Sequence, residues 1–210
     1  MATVRYAFHV FVNCPFDDDY RPLFEAIVFA VHDCNHVARC ALEIDDASEI
    51  RIEKICRIIS ECQLGIHDIS RTETCPDSGL PRFNMPFELG LYLGAKRFGA
   101  AKQKSKKCLI LDCEKFRYQK FISDIAGQDI HAHKRQIGDV IRIVRNWLRN
   151  ATLDSELIPG GAVMADRYVL FRKELPLLCE RMRLSENELT FSDFVFLVEE
   201  WLKLNAQVRN

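Results

Sequence analysis

Nothing in the 210 residues approaches the ~20 consecutive apolar positions needed to cross a bilayer. The longest nearly apolar run, Leu23 to Val31, is interrupted by Glu25, so no membrane partner is expected. An excess of one charge is also missing. Lys and Arg total 29 against 30 Asp and Glu, a formal net charge of −1, which argues against nucleic acid as a partner. No Gly-x-Gly-x-x-Gly or Gly-Lys-Ser/Thr loop occurs, which argues against dinucleotide-redox and P-loop chemistry. Metal-ligand spacing is absent too: Cys34, His36 and Cys40 lack a second pair, and His131 and His133 have no acidic or thiol partner at ligand distance along the chain. No metal and no bound cofactor are therefore expected. The opening residues, Met-Ala-Thr-Val-Arg-Tyr, lack the regions of a secretory leader. With nine Cys, an odd number, this predicts reduced thiols and a cytoplasmic protein.

What is present suits a sizeable core, with 48% hydrophobic and 28% charged residues. Strand-like and helix-like patterns alternate. Ala7 to Val12, Ala38 to Ile44, Leu64 to Ile69, Cys108 to Asp112 and Asp129 to Ala132 read as strands. Tyr20 to Asp33, Ile50 to Cys62, Pro86 to Arg97, Lys115 to Ala126 and Ile137 to Arg149 read as helices. Five strands alternating with helices predict an α/β fold of three layers with a parallel sheet. The flavodoxin-like order 2-1-3-4-5 is the expected arrangement. This body occupies residues 1–150. Residues 151–210 carry two further helical patterns, about Arg167 to Met182 and Phe191 to Leu204, and predict a helical appendage with a cap at Thr190 or Ser192.

In such sheets ligands bind beyond the carboxyl ends of the strands, where strand order reverses, here between strands one and three. Strand one leaves through Asn13, Cys14, Pro15, Phe16 and Asp17; strand three leaves through Asp68, Ile69, Ser70 and Arg71. The next helix opens with Asn84, Met85, Pro86, Phe87 and Glu88. Glu88 is expected in the first helical turn, where a helix-dipole role competes with a catalytic one. Asp68 is expected either to cap the next turn or to join Glu88 in one crevice, as glycosidic-bond cleavage requires of two carboxyl groups. Arg71 is a candidate phosphate contact. His67 reads as a core histidine bonded to backbone, Cys14 as a packed turn residue, and Lys102 to Lys107 as a solvated basic loop.

Asn-Cys-Pro-Phe-Asp at residues 13–17, His-Asp-Ile-Ser at 67–70 and Asn-Met-Pro-Phe-Glu-Leu-Gly at 84–90 resemble the superfamily that joins nucleoside 2-deoxyribosyltransferases and TIR-like domains. The resemblance covers about residues 6–149 and implies that Glu88 is the catalytic carboxylate, as nucleophile or as oxocarbenium stabiliser. It implies that Asp68 binds sugar hydroxyls or assists proton transfer. By the same token Asn13, Pro15, Phe16, Ser70, Arg71, Asn84 and Met85 would line the substrate site. The TIR-like branch implies hydrolysis of NAD, a substrate and not a cofactor, with release of nicotinamide, often in bacterial antiviral defence. Such activity calls for control by an activating partner or nucleotide signal, and for self-association. The alternatives are a nucleotide-sensing or scaffold module without turnover, and a nucleoside 2-deoxyribosyltransferase. The last has Asp and Gly-Thr ahead of its Glu, where this chain has Asn84, Met85 and Pro86.

Overall fold

The computed structural model of the chain describes residues 6–74, 79–152 and 158–206. The opening residues Met1 to Arg5, read above for a leader, lie outside the described residues. The elements are β1 (His9–Asn13), α1 (Arg21–Asp33), β2 (Val37–Arg39), α2 (Arg51–Glu61), β3 (Leu64–Asp68), α3 (Asn84–Phe98), β4 (Lys107–Asp112), β5 (Ile130–Ala132), α4 (Ile137–Ala151), α5 (Gly161–Met182) and α6 (Phe191–Leu204). The five strands form one parallel sheet in the order β2-β1-β3-β4-β5, a flavodoxin-like α/β fold. No helix among the described residues is long and apolar enough to cross a membrane.

Alternation along the strands sorts side chains between two cores. Val10 and Val12 of β1 and Leu64 and Ile66 of β3 pack under α1 and α4. Phe11 faces the other way, against Ile55, Ile58 and Ile59 of α2 and Tyr92 of α3. Gly65 matters on this second face because a Cβ there would lie 2.8 Å from the Tyr92 ring. Its bare backbone lets the phenol cross β3, where the hydroxyl donates to the carbonyls of Gln63 (2.7 Å) and Lys107 (2.9 Å).

Several expected segments differ from those found. Residues 6–8 are helical, so β1 begins at His9 and not at Ala7. β2 ends at Arg39, well short of Ile44, because the chain turns so that Arg39 can grip Glu43 through two 2.6 Å hydrogen bonds. The helix expected over Lys115 to Ala126 is replaced by two 3-10 turns, Arg117–Lys120 and Ser123–Ile125. Phe116 adopts φ 61°, which an α-helix does not tolerate, and Arg117 is drawn instead to Asp112 (2.8 Å) and to the Ile69 carbonyl (2.9 Å). The basic segment forms a 3-10 turn, Ala101–Ser105. Lys106 next to it is buried rather than solvated, donating to the carbonyls of Ile59 (2.5 Å) and Cys62 at the end of α2. Burial brings its pKa down to about 8.

α5 begins at Gly161, earlier than the expected Arg167. Thr190 does cap α6, exchanging hydrogen bonds with Asp193 in a capping box. These two helices form a further layer over α1, and one continuous core runs from β1 through α1 into Phe171, Leu197 and Trp201. α1 is consequently buried on every side from Leu23 to Asp33, although its outer face carries polar residues. Each of these finds its partner across the layer boundary: Glu25 with Arg172 (2.6 Å), His32 with Glu199 (3.4 Å) and Asp33 with Arg167 (3.1 Å). The last pair is the most deeply placed, with both side chains at 5% exposure or less. Arg167→Ala would strand the Asp33 charge without its guanidinium, and the expected cost is ~3 kcal/mol or more, read as a lowered urea midpoint at unchanged slope.

Candidate functional site

The register pairs Asn13 with His67 on adjacent strands, and this pairing builds one half of the site. The Asn13 amide group lies 3.1 Å from His67 Nδ1 and donates to the Met85 carbonyl in the first turn of α3 (2.9 Å). Asn13 thereby ties β1, β3 and α3 together with both donors of its buried amide. His67 is a core histidine as expected, but its partner is this side chain and not backbone. Burial, then the nearby Lys106 charge, pulls its pKa down to about 3, so the ring is neutral.

α3 starts at Asn84, two residues before Pro86. Pro86 is accommodated in the first turn, where its missing N–H has no intrahelical role. Glu88 therefore lies in the second turn and not the first, beyond the range in which the helix dipole favours a carboxylate. It is 6% exposed and makes no hydrogen bond or ion pair to any described residue. Burial drives its pKa up to about 7, with Arg51 at the start of α2 pulling the other way. A dipole-capping role would lower that pKa, so the structural explanation weighed from sequence does not account for Glu88.

Asp68 shares the alternation of Leu64 and Ile66 and so faces α1, while α3 packs on the opposite face of the sheet. The two carboxyl groups thus approach the β1 exit from different sides. Asp68 has no exposed surface. It accepts hydrogen bonds from the Tyr20 hydroxyl and from the Ser70 N–H (2.8 Å), and His133 Nε2 lies 3.0 Å from it. His133 Nδ1 accepts from the Arg135 N–H (2.9 Å), which leaves Nε2 as the protonated nitrogen facing Asp68. Burial opposes ionisation of Asp68 most strongly, but His133, Ser70 and Tyr20 together outweigh it and hold the pKa below the ordinary value. Cys14 is buried, and burial, then the charges of Asp68, Cys40 and Glu88, push its thiol well up, which is the reverse of what a nucleophilic cysteine needs.

The remaining expected site residues fall into three groups. Pro15, Ser70 and Met85 are buried, Met85 against Ile69, Leu89 and Ile110. Phe16 packs edge-on to Phe24 and borders a cavity of about 190 Å³ shared with Asp17, Arg21, Leu42 and Phe191. Ser70 and Arg71 border another, of about 220 Å³, with Tyr20 and Arg135. Arg71 pairs with Asp17 (3.0 Å) and Asp19 (3.5 Å), and Arg82 with Asp17 (3.1 Å). Those pairs clasp the loop after β1 to the end of β3 and to the start of α3. Asn84 is exposed, as are Phe83 and Phe87 on either side of it. The two phenyl groups, unassigned from sequence, are flat apolar surfaces beside Glu88 along the chain. Tyr20 and His133 were also missed: one read as a helix start, the other as half of an unconvincing metal pair. Among the described residues no three metal-ligating side chains come together.

Comparison of the chain with protein-family models, with curated proteins and with solved structures gives no match.

Proposed function

We propose that this site hydrolyses the N-glycosidic bond of a nucleotide, NAD first, with Glu88 as the catalytic carboxylate. One observation carries the reading: Glu88 is a buried carboxyl without a partner among the described residues, its pKa near 7, beside the carboxyl ends of β1 and β3. Buried Asp33 and Asp68 are both paired. An unpaired buried carboxyl costs stability, and such groups cluster where chemistry needs them.

The electron count favours NAD. When its glycosidic bond breaks, the bonding pair stays with the ring nitrogen, the pyridinium becomes neutral nicotinamide, and no proton has to be supplied. C1′ is left oxocarbenium-like, and ionised Glu88 stabilises or captures it. Water then adds at C1′, displacing the Glu88 carboxylate with its bonding pair where the two have joined, and loses one proton to solvent, giving ADP-ribose. A neutral purine or pyrimidine base leaves less readily and needs a proton donor. Asp68 is committed to Tyr20, Ser70 and His133, so in this reading it positions the β3 exit and does not touch the substrate. A single available carboxylate suits a leaving group that is already cationic.

The test is chromatography of NAD and a panel of nucleosides and nucleotides after incubation with wild type and Glu88→Gln, at low and high protein concentration. Nicotinamide release by wild type alone supports the reading. Saturable binding without turnover would replace it with nucleotide sensing, and base exchange between nucleosides would replace it with a deoxyribosyltransferase. The pH profile is a second expected result. With a pKa of about 7, roughly a tenth of Glu88 is ionised at pH 6 and nine-tenths at pH 8, so kcat/KM rises about tenfold across that interval. The kcat profile lies at lower pH, because a bound pyridinium favours the carboxylate.

A further inference from the structure

The outer face of α5 carries a pattern that the site does not use. Met164, Phe171, Leu175 and Leu178 point inward and are buried. On the opposite face Ala162, Val163, Val169, Leu170, Pro176 and Leu177 are all exposed, the four larger aliphatic side chains between 42% and 67%. They fall into three adjacent pairs at intervals of seven residues, the spacing that keeps one apolar seam facing a neighbouring helix. Between the pairs stand exposed Asp166 and Lys173, followed by Glu180. Neither Asp166 nor Lys173 makes an ion pair or hydrogen bond to a described residue.

We propose that this face is the contact of a two-fold homodimer in which α5 packs antiparallel against α5 of a second copy. The inference does not rest on the glycosidase reading. The alternating charges select both the occupant and the direction. A parallel pair would set Asp166 against Asp166, Lys173 against Lys173 and Glu180 against Glu180. An antiparallel pair with its axis between Val169 and Leu170 sets Val169 on Leu170 of the partner subunit, Asp166 on Lys173 of the partner subunit and Ala162 on Leu177 of the partner subunit. The symmetry generates each contact twice, as a self-complementary interface requires. With 22 residues the helix is about 33 Å long, enough for all three apolar pairs to engage.

The experiment is sedimentation of the full chain over a hundredfold range of concentration, with circular dichroism confirming the helix content of each variant. Wild type should show a concentration-dependent dimer. Leu170→Glu should be monomeric throughout. Asp166→Lys and Lys173→Asp, each creating two like-charge contacts, should each weaken association tenfold or more. An equimolar mixture of these two variants should dimerise again, and so should the single chain carrying both reversals. A wild type that stays monomeric, a dimer unaffected by Leu170→Glu, charge reversals without effect, or a double reversal that fails to restore association would each overturn the proposal.

Discussion

Replacing Glu88 by Gln should abolish base release and, at the same time, make the protein more stable above pH 7. Gln keeps the shape and removes the charge. For the rate, an ionised carboxylate facing an oxocarbenium centre stabilises charge in a site with little water, and its loss should lower kcat about a thousandfold. For stability, the sign follows from linkage. The native pKa of about 7 lies above the ordinary 4.5, so the folded state holds the proton more tightly than the unfolded chain does. The stabilisation this gives is complete below pH 4.5 and is lost as pH rises through 7. At pH 8 the wild type bears a buried carboxylate without a partner among the described residues, a charge that Gln does not carry, and the difference is on the order of 2 kcal/mol. For a chain of this size that is a rise in Tm of roughly 4–8 °C. At pH 5 the two proteins should melt nearly together. Thermal denaturation at both pH values checks this alongside the assay, and an inactive variant with wild-type stability at pH 8 would show that Glu88 does not carry a destabilising charge.

Asp68→Ala should be among the most damaging single changes to the fold. It removes the acceptor of the Tyr20 hydroxyl and the Ser70 N–H and the carboxylate that faces His133 Nε2, and leaves these groups buried, at an expected cost of about 4 kcal/mol. Asp68→Asn keeps one carbonyl acceptor and should cost about half as much. The depressed pKa of Asp68 gives the opposite linkage to that of Glu88. Its contribution is present above the ordinary value of 3.8 and is lost as pH falls through the lower native one. The gap between wild type and Asp68→Ala should therefore narrow in acid, as urea titrations at pH 7 and pH 3 will show.

The alternation of apolar patterns was enough to read strand number and the helix carrying Glu88, because periodicity reports directly which side of an element is buried. It could not report a second burial. α1 reads as amphipathic, and only the structure shows its polar face closed by Arg167, Arg172 and Glu199, residues far along the chain. The same limit hid the partnership of Asp68 with His133, since nothing local in the sequence joins β3 to the end of β5. β2 was overextended because Ala41 and Leu42 suit a strand, whereas the Arg39–Glu43 grip that ends it is a side-chain event. Glu88 is a candidate in the sequence because of the residues around it; its lack of a partner among the described residues is visible only in the structure.

The enclosure of α1 also bears on the order in which the chain is made. α1 leaves the ribosome well before the helices that cover its outer face, which follow after more than a hundred further residues. At ~5–20 residues per second that interval is on the order of ten to thirty seconds. During it, Phe29 lacks its final cover from Phe171 and Trp201, and the nascent chain presents a sticky surface of the kind chaperones hold. Closure of this core therefore waits for the synthesis of α5 and α6, and a ribosome that stalls before α5 would release a chain unable to finish folding.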